Sequence, residues 1–282
     1  MRISRAGGLP VSVVERISLV LDTFNNFGPL TLSQVTSRTG LPRSSVHRLL
    51  DQLASAGLLA RSPGQTYELG VKAYEMGRAA YNHNRLLREA QPVMQAFAQR
   101  TGLTIQLSVV DHADTVYLAK INGHLSGPTP TAVGQRLPAH LTAVGKAQLA
   151  ITEATGDPHI ARRLRNTANG ELVRRTGQSV TSFARLEAEF ATIRDRGAAF
   201  DQGEAFAGIG CVGVSIGPAD HLYGNLAGLS ICAPATALDC RKLVGPVRIA
   251  AREIWERCVT ADLTSAQDCY PVSAAGPTTS IR

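Results

Sequence analysis

The sequence predicts an α+β chain in two units. A small helical unit ends in a β-hairpin, and a larger unit carries a mainly antiparallel sheet flanked by helices. Three observations point there. At 282 residues the chain is longer than one core comfortably fills, so about two domains are expected. Through the first sixty or so residues, apolar positions recur at helical spacing between Gly and Pro punctuation,. Beyond residue 100, strand-like runs with turn signals are interspersed with helical patterns,. The 44% hydrophobic and 18% charged composition excludes a chain disordered throughout, and 26 Gly without a period exclude collagen,. Aromatics at 5% argue against the stacking platforms that hold single-stranded nucleic acid,.

Val14, Ile17, Leu21 and Phe24 predict a first helix that stops at Phe27-Gly28-Pro29,. Thr31-Leu32-Ser33-Gln34 is a capping box opening a second helix, which Gly40 ends,. Pro42 sits where a third helix starts, a place where its missing N–H costs nothing,. Val46, Leu49, Leu50 and Leu53 fall within an arc of roughly 100°, one buried stripe, and Gly57 closes the helix,. Leu58–Arg61 and Thr66–Leu69 read as strands joined by a turn at Ser62–Gln65,. Short helix, tight turn, second helix and hairpin follow one another as in a winged helix-turn-helix, whose second helix enters the major groove.

Opposite the stripe, Ser44 and Arg48 project outward, with His47 beside them and Arg43 and Ser45 in the first turn. Charge agrees with this placement. The whole chain carries +7, and residues 1–80 hold nine Lys and Arg against five Asp and Glu, a local +4. The predicted partner is double-stranded DNA. Arg43, Ser44, Ser45, His47 and Arg48 are the candidate contacts on the helix, with Thr31 ahead of them and Arg61 on the wing. Arg48 is the first choice for a guanine edge and Arg61 for a phosphate.

In the second unit, Leu86, Leu87, Ala90, Val93, Met94 and Phe97 predict a helix over 84–102. Leu103–Val110 and Thr115–Ile121 form a hairpin, 128–136 is loop-like, and a helix begins at Ala143. Phe183, Leu186, Phe190 and Ile193 mark another helix, ended by Gly197. Cys211–Ile216 and Leu226–Cys232 read as buried strands, and Leu243, Val247, Ala250 and Ile254 as a closing helix. The polar residues 262–282 are expected to be a mobile tail.

Several blocks together resemble IclR-type bacterial transcription regulators. They are Val13-Val14-Glu15-Arg16, Thr31-Leu32-Ser33, Gly40 through Leu50, Gly57-Leu58-Leu59 and Tyr67-Glu68-Leu69-Gly70 in the first unit. In the second they are Arg136 through Ala147, Arg196-Gly197, Asp201-Gln202-Gly203-Glu204, Gly210-Cys211-Val212 and Leu229 through Pro234. The resemblance implies residues 1–70 as a winged helix-turn-helix, 71–82 as a linker helix and 83–261 as a GAF-like effector-binding domain. It also implies a homodimer or a dimer of dimers, and with it a palindromic operator. Carried over position by position, the effector pocket would involve the backbone N–H groups of Ala143 and Val144, with Asp201, Cys211, Ser230 and Cys232; the family more often has serine at the last of these.

Read chemically, N–H groups at a helix start favour an anion, so a small organic acid is the expected effector. Asp201 would repel that carboxylate unless it were protonated or accepted a bond from a ligand hydroxyl, which points to a hydroxy- or hydrated-carbonyl acid, aromatic or not, rather than a simple fatty acid. The competing class is a hydrolase using Cys211 or a serine, and a third is an interaction module without a ligand. Neither G-x-S-x-G, H-E-x-x-H nor a complete phosphate loop occurs,. Ala143-Val144-Gly145-Lys146 lacks the upstream glycine, and Ala147 stands where the hydroxyl belongs. His140 and the Asp157-Pro158-His159 run are isolated. No catalytic residue, metal or cofactor is expected. Five cysteines without a C-x-x-C pair read as free thiols of a cytoplasmic protein, and no apolar run approaches the roughly 18 residues that cross a bilayer,.

Overall fold

The computed structural model describes residues 12–25, 28–155, 164, 172–217, 226–237 and 239–268. Helix α1 spans Val13–Asp22 behind a capping box in which Ser12 and Glu15 satisfy each other's backbone N–H groups. Its packed residues are Leu19 and Val20, with Ile17 and Leu21 partly buried and Phe24 joining them just past its end; Val14 departs from the expected stripe and lies exposed. Phe27 is outside the described residues. A two-residue strand β1 (Leu30–Thr31) precedes α2 (Leu32–Thr39), whose Thr31–Gln34 capping box forms as the sequence predicts. Gly40 ends α2 with φ +70°, a left-handed conformation that glycine adopts without cost,. Helix α3 (Arg43–Ser55) starts after Pro42 and buries Val46, Leu49, Leu50 and Leu53.

The wing is the antiparallel pair β2 (Leu59–Ser62) and β3 (Thr66–Leu69), and β1 adds a third strand beside β3. Periodicity does not reveal β1, because two residues have no period. Helix α4 (Val71–His83) follows, with no buried residue. Asn84 ends α4 and caps α5 (Arg85–Thr101), so no loop separates the two.

The second unit is a six-stranded antiparallel sheet, order β6-β5-β4-β9-β8-β7. Its strands are β4 (Thr104–Asp111), β5 (Asp114–Ile121), β6 (Arg136–Pro138), β7 (Ala199–Gln202), β8 (Ile209–Ile216) and β9 (Leu226–Pro234). The short edge strands β6 and β7 extend what the sequence predicts. On one face, Ile105, Leu107, Val212, Val214, Leu229 and Ile231 pack against α5 and the closing helix α8 (Cys240–Asp268). On the other lies α6 (Ala143–Thr155), covered in turn by α7 (Phe183–Arg196) through Leu149, Ala150, Leu186 and Phe190. Helix α8 continues to Asp268, so the expected tail begins as helix; residues 269–282 are outside the described set.

Candidate functional site

In the first unit the exposed face of α3 is set by the stripe on its other side. Arg48, His47, Ser44 and Arg43 are exposed, whereas Ser45 is half-buried. Arg48 makes no hydrogen bond or ion pair with any described residue. Arg43 donates to Ser33 Oγ at 2.9 Å, which ties the start of α3 to α2. Thr31 spends its hydroxyl on the α2 cap, accepting from Gln34 N at 3.3 Å. Asp51 joins helix to wing: its carboxylate lies 2.6 Å from Arg61 Nη2 and 3.3 Å from His47 Nδ1, and accepts from Tyr67 OH at 3.4 Å. The Arg61 guanidinium is held above its usual range by that hydrogen bond to Asp51. Asp51 is not legible as an organiser in the sequence, because its two wing partners, Arg61 and Tyr67, lie ten and sixteen residues away.

The other candidate is the α6 side of the six-stranded sheet. Directly paired residues share a face, so the register defines rows of side chains across the strands. One row runs Thr104, Cys232, Cys211, Asp201, and the next runs Lys120, Gln106, Ser230, Gly213. A third pairs Tyr117 with Ser108 and Gly228. An irregularity between Leu107 and Ser108 shifts the β4–β5 register at Leu118. Tyr117 and Lys120, three residues apart, therefore both face α6, where strict alternation would have sent one to the back.

Helix α6 begins directly over this surface. A Cβ on Gly213 would fall 2.3 Å from Val144 N, and one on Gly228 2.4 Å from Val144 Cγ2, so both positions need glycine for close approach. The first N–H groups of α6 have no intrahelical carbonyl to bond, and Thr142 Oγ1 takes only that of Gly145, at 3.0 Å. Two hydroxyls on the sheet face, Ser108 Oγ and Ser230 Oγ, are buried without a hydrogen-bond partner. Such groups ordinarily have one, so each marks a place where a polar partner is wanted. Cys232 Sγ donates to Gln106 Oε1 at 3.3 Å, and Gln106 Nε2 donates to Thr131 Oγ1 in the loop above. Tyr117, Leu137, Leu141 and Ala205 supply an apolar wall.

Burial pushes the Asp201 carboxyl up to about 6, against the opposing pull of its hydrogen bond from Glu204 N, 2.6 Å away. Burial likewise raises Glu204 to about 7, although its Oε1 lies 2.6 Å from the Lys146 ammonium. Lys146 is itself buried and reaches Glu189 Oε1 at 2.9 Å. Committed to two carboxylates, it is not the lysine of a phosphate loop. The Cys211 thiol is held well above its usual range, first by its hydrogen bond with Cys232 and then by burial. Burial also raises the Tyr117 phenol and lowers the Lys120 ammonium.

The residues expected for the pocket, Ala143, Val144, Asp201, Cys211, Ser230 and Cys232, are thus brought to one face. Asp201 also has a local task, gathering the N–H of the β7–β8 turn. Gln106, Ser108, Tyr117 and Lys120 join the site without having been singled out. Alternate polar residues at Thr104, Gln106 and Ser108 were a readable signal for two of them; the bulge that aims Tyr117 and Lys120 was not. His140 is buried with Nε2 3.1 Å from Val173 O, a satisfied core histidine, while His159 and Cys269 lie outside the described residues. Cys211, Cys232, Cys240 and Cys258 are free. Among the described residues no cluster of three His, Cys, Asp or Glu could hold a metal, and no helix is long and apolar enough to cross a membrane.

Residues 13–63 match the IclR helix-turn-helix domain, and residues 78–256 match the bacterial transcriptional regulator IclR C-terminal domain. The chain is 30% identical over 243 residues to the DNA-binding transcriptional repressor YiaJ of Escherichia coli, covering 83% of this chain and 82% of that one. It is 28% identical over 235 residues to the transcriptional regulator XynR of the same organism, covering 83% and 90%. Among solved structures, an IclR homologue from Microbacterium hydrocarbonoxydans complexed with 4-hydroxybenzoate superposes with a TM-score of 0.73. It is 26% identical and covers 88% of this chain and all of that one.

Proposed function

The chain belongs to the IclR family of bacterial transcriptional regulators, and from that premise we propose that its operator binding is modulated by a small organic acid, aromatic or hydroxylated, in the second domain. The carrying observation is the pair of buried, unpartnered hydroxyls, Ser108 and Ser230, on a polar surface under the start of a helix. The 4-hydroxybenzoate bound to a relative supports the same chemistry. In this reading residues 1–70 bind DNA, 71–82 link and 83–261 sense the effector, with the end of α8 leading out of that domain. The N–H groups of Ala143 and Val144 take the carboxylate, and Asp201, Cys211, Ser230 and Cys232 the hydroxyl end. Asp201 with a raised pKa is suited to such a neighbour, because it keeps its proton to a higher pH than an ordinary carboxylate,.

Two copies place their α3 helices on the half-sites of a palindrome in the cytoplasm, as a dimer or a dimer of dimers. Arg48, exposed and unpaired, reads a base edge, with Arg43, Ser44, Ser45 and His47 beside it. Thr31 presents the α2 terminus to the backbone, and Arg61 exchanges Asp51 for a phosphate. No catalysis is assigned. A hydrolase built on Cys211 needs a thiolate, and the pull on that thiol is toward the protonated form,.

A gel-shift titration against enriched and random DNA tests the reading. Arg48→Ala is expected to cost about 1–3 kcal/mol on the operator and to relax specificity at one base pair. Arg61→Ala is expected to weaken binding to all sequences alike and to flatten the salt dependence. Unchanged operator affinity and specificity in Arg48→Ala would remove α3 from the groove.

A further inference from the structure

Lys120 is a half-buried ammonium without a carboxylate. It donates to Thr131 O at 2.6 Å and to Thr129 O at 3.1 Å, and it forms no ion pair with any described residue. An ammonium has three protons, so one donor remains. Partly withdrawn from water and lacking a carboxylate, this charge is open to an anion,. The bulge at Leu118 is what turns Lys120 toward α6, onto the row that continues through Gln106 and Ser230 to Gly213. At the far end of that row sits the α6 N-terminus, a second, partial positive charge. Between them Ser230 Oγ is buried and unpartnered.

We propose that Lys120 is the counter-charge for a second acidic group, so that the pocket takes a small dicarboxylate held between the Lys120 ammonium and the N-terminus of α6. The proposal rests on the effector-pocket reading above and adds the charge of the ligand to it. Three strand spacings separate Lys120 from Gly213, about 14 Å between backbones. A linear diacid of about six carbons, with a hydrogen bond of about 2.8 Å at each end, spans a comparable length. Ser230 then lies under the middle of the ligand, where it meets a hydroxyl or keto oxygen. The alternative task for Lys120 is to pin the loop over residues 129–131, which needs a donor but not a charge.

Calorimetry on the full chain separates the two, using linear dicarboxylates of about four to eight carbons, each against its own monoamide. The monoamide keeps length and hydrogen bonding and removes one charge. The best diacid is expected to bind at least tenfold more tightly than its monoamide. Lys120→Gln, which can still donate to the loop carbonyls, should bring the diacid to the level of the monoamide, and Lys120→Arg should restore most of the difference. Equal binding of diacid and monoamide, or a difference that survives Lys120→Gln, overturns the proposal. If the acids bind equally but Ser230→Ala weakens both, the pocket stands and only its dicarboxylate preference falls. If no acid of either series binds, the pocket reading falls and takes the proposal with it.

Discussion

Glu204 places one carboxylate oxygen on the Lys146 ammonium and leaves the other buried without a partner. Desolvation wins over the lysine's attraction, and the group's pKa rises from 4.5 to about 7. A carboxyl raised by folding binds more protons in the native state than in the unfolded one between those two values. Its contribution to stability therefore falls as pH rises from about 4.5 to about 7 and stays low above that. Asp201 has the same sign in a lower window, from 3.8 to about 6. Thermal unfolding from pH 5 to 8 should show the wild type losing stability relative to Glu204→Gln, most steeply from about pH 5 to 6.5 and levelling off above about 7,. Parallel melting curves would mean that Glu204 stays ionised throughout and that Lys146 compensates its burial in full.

Helix α6 shows what an element needs beyond its own sequence. Its start is seated on Gly213, with a Cβ there 2.3 Å from Val144 N and 2.5 Å from the Ala143 carbonyl carbon. These are backbone atoms and cannot swing aside, so Gly213→Ala must lift the helix terminus off the sheet. A cost of about 1–3 kcal/mol is expected, read as a lower melting temperature together with weakened effector binding. Full stability in Gly213→Ala would show that the helix has slack. The stripe of α3, the Thr31–Gln34 cap and the turns at Gly40, Gly102 and Gly197 were legible because each is written within a few adjacent residues. The strands β1, β6 and β7 have two to four residues, too few for alternation to be seen, and β1 and β6 pair with partners well away along the chain. The same distinction divides the site. Polar alternation in β4 was open to reading, but the bulge that aims Tyr117 and Lys120 is a property of two strands together. The organising role of Asp51 was hidden for a related reason, since it exists only once wing and helix meet.

At the scale of the molecule, α4 is the element a single chain explains least. It has thirteen residues and none is buried. Val71 and Tyr74, one turn apart, are 73% and 69% exposed, and Val13 and Val14 of α1 are 63% and 72% exposed. A helix of this length is marginal in water without packing, so its apolar residues call for a covering surface. In a two-fold homodimer a second α4 would supply it. The helix is also fixed at both ends. Gly70 N and Lys72 N donate to Leu58 O and Gly57 O, behind α3, at 2.9 and 3.1 Å, and Asn84 joins it to α5 without a loop. Since α5 packs on the sheet face opposite the proposed pocket, an effector bound as proposed would reach α3 only by favouring one placement of α5, and with it α4, over another. Replacing Val71 and Tyr74 together by Glu should therefore do two things at once. Light scattering should report a smaller species, and affinity for a two-half-site operator should fall at least tenfold while a single half-site is bound as before. If the double variant keeps its mass and its operator affinity, the copies meet elsewhere, and α4 would have to carry the signal as an unsupported helix.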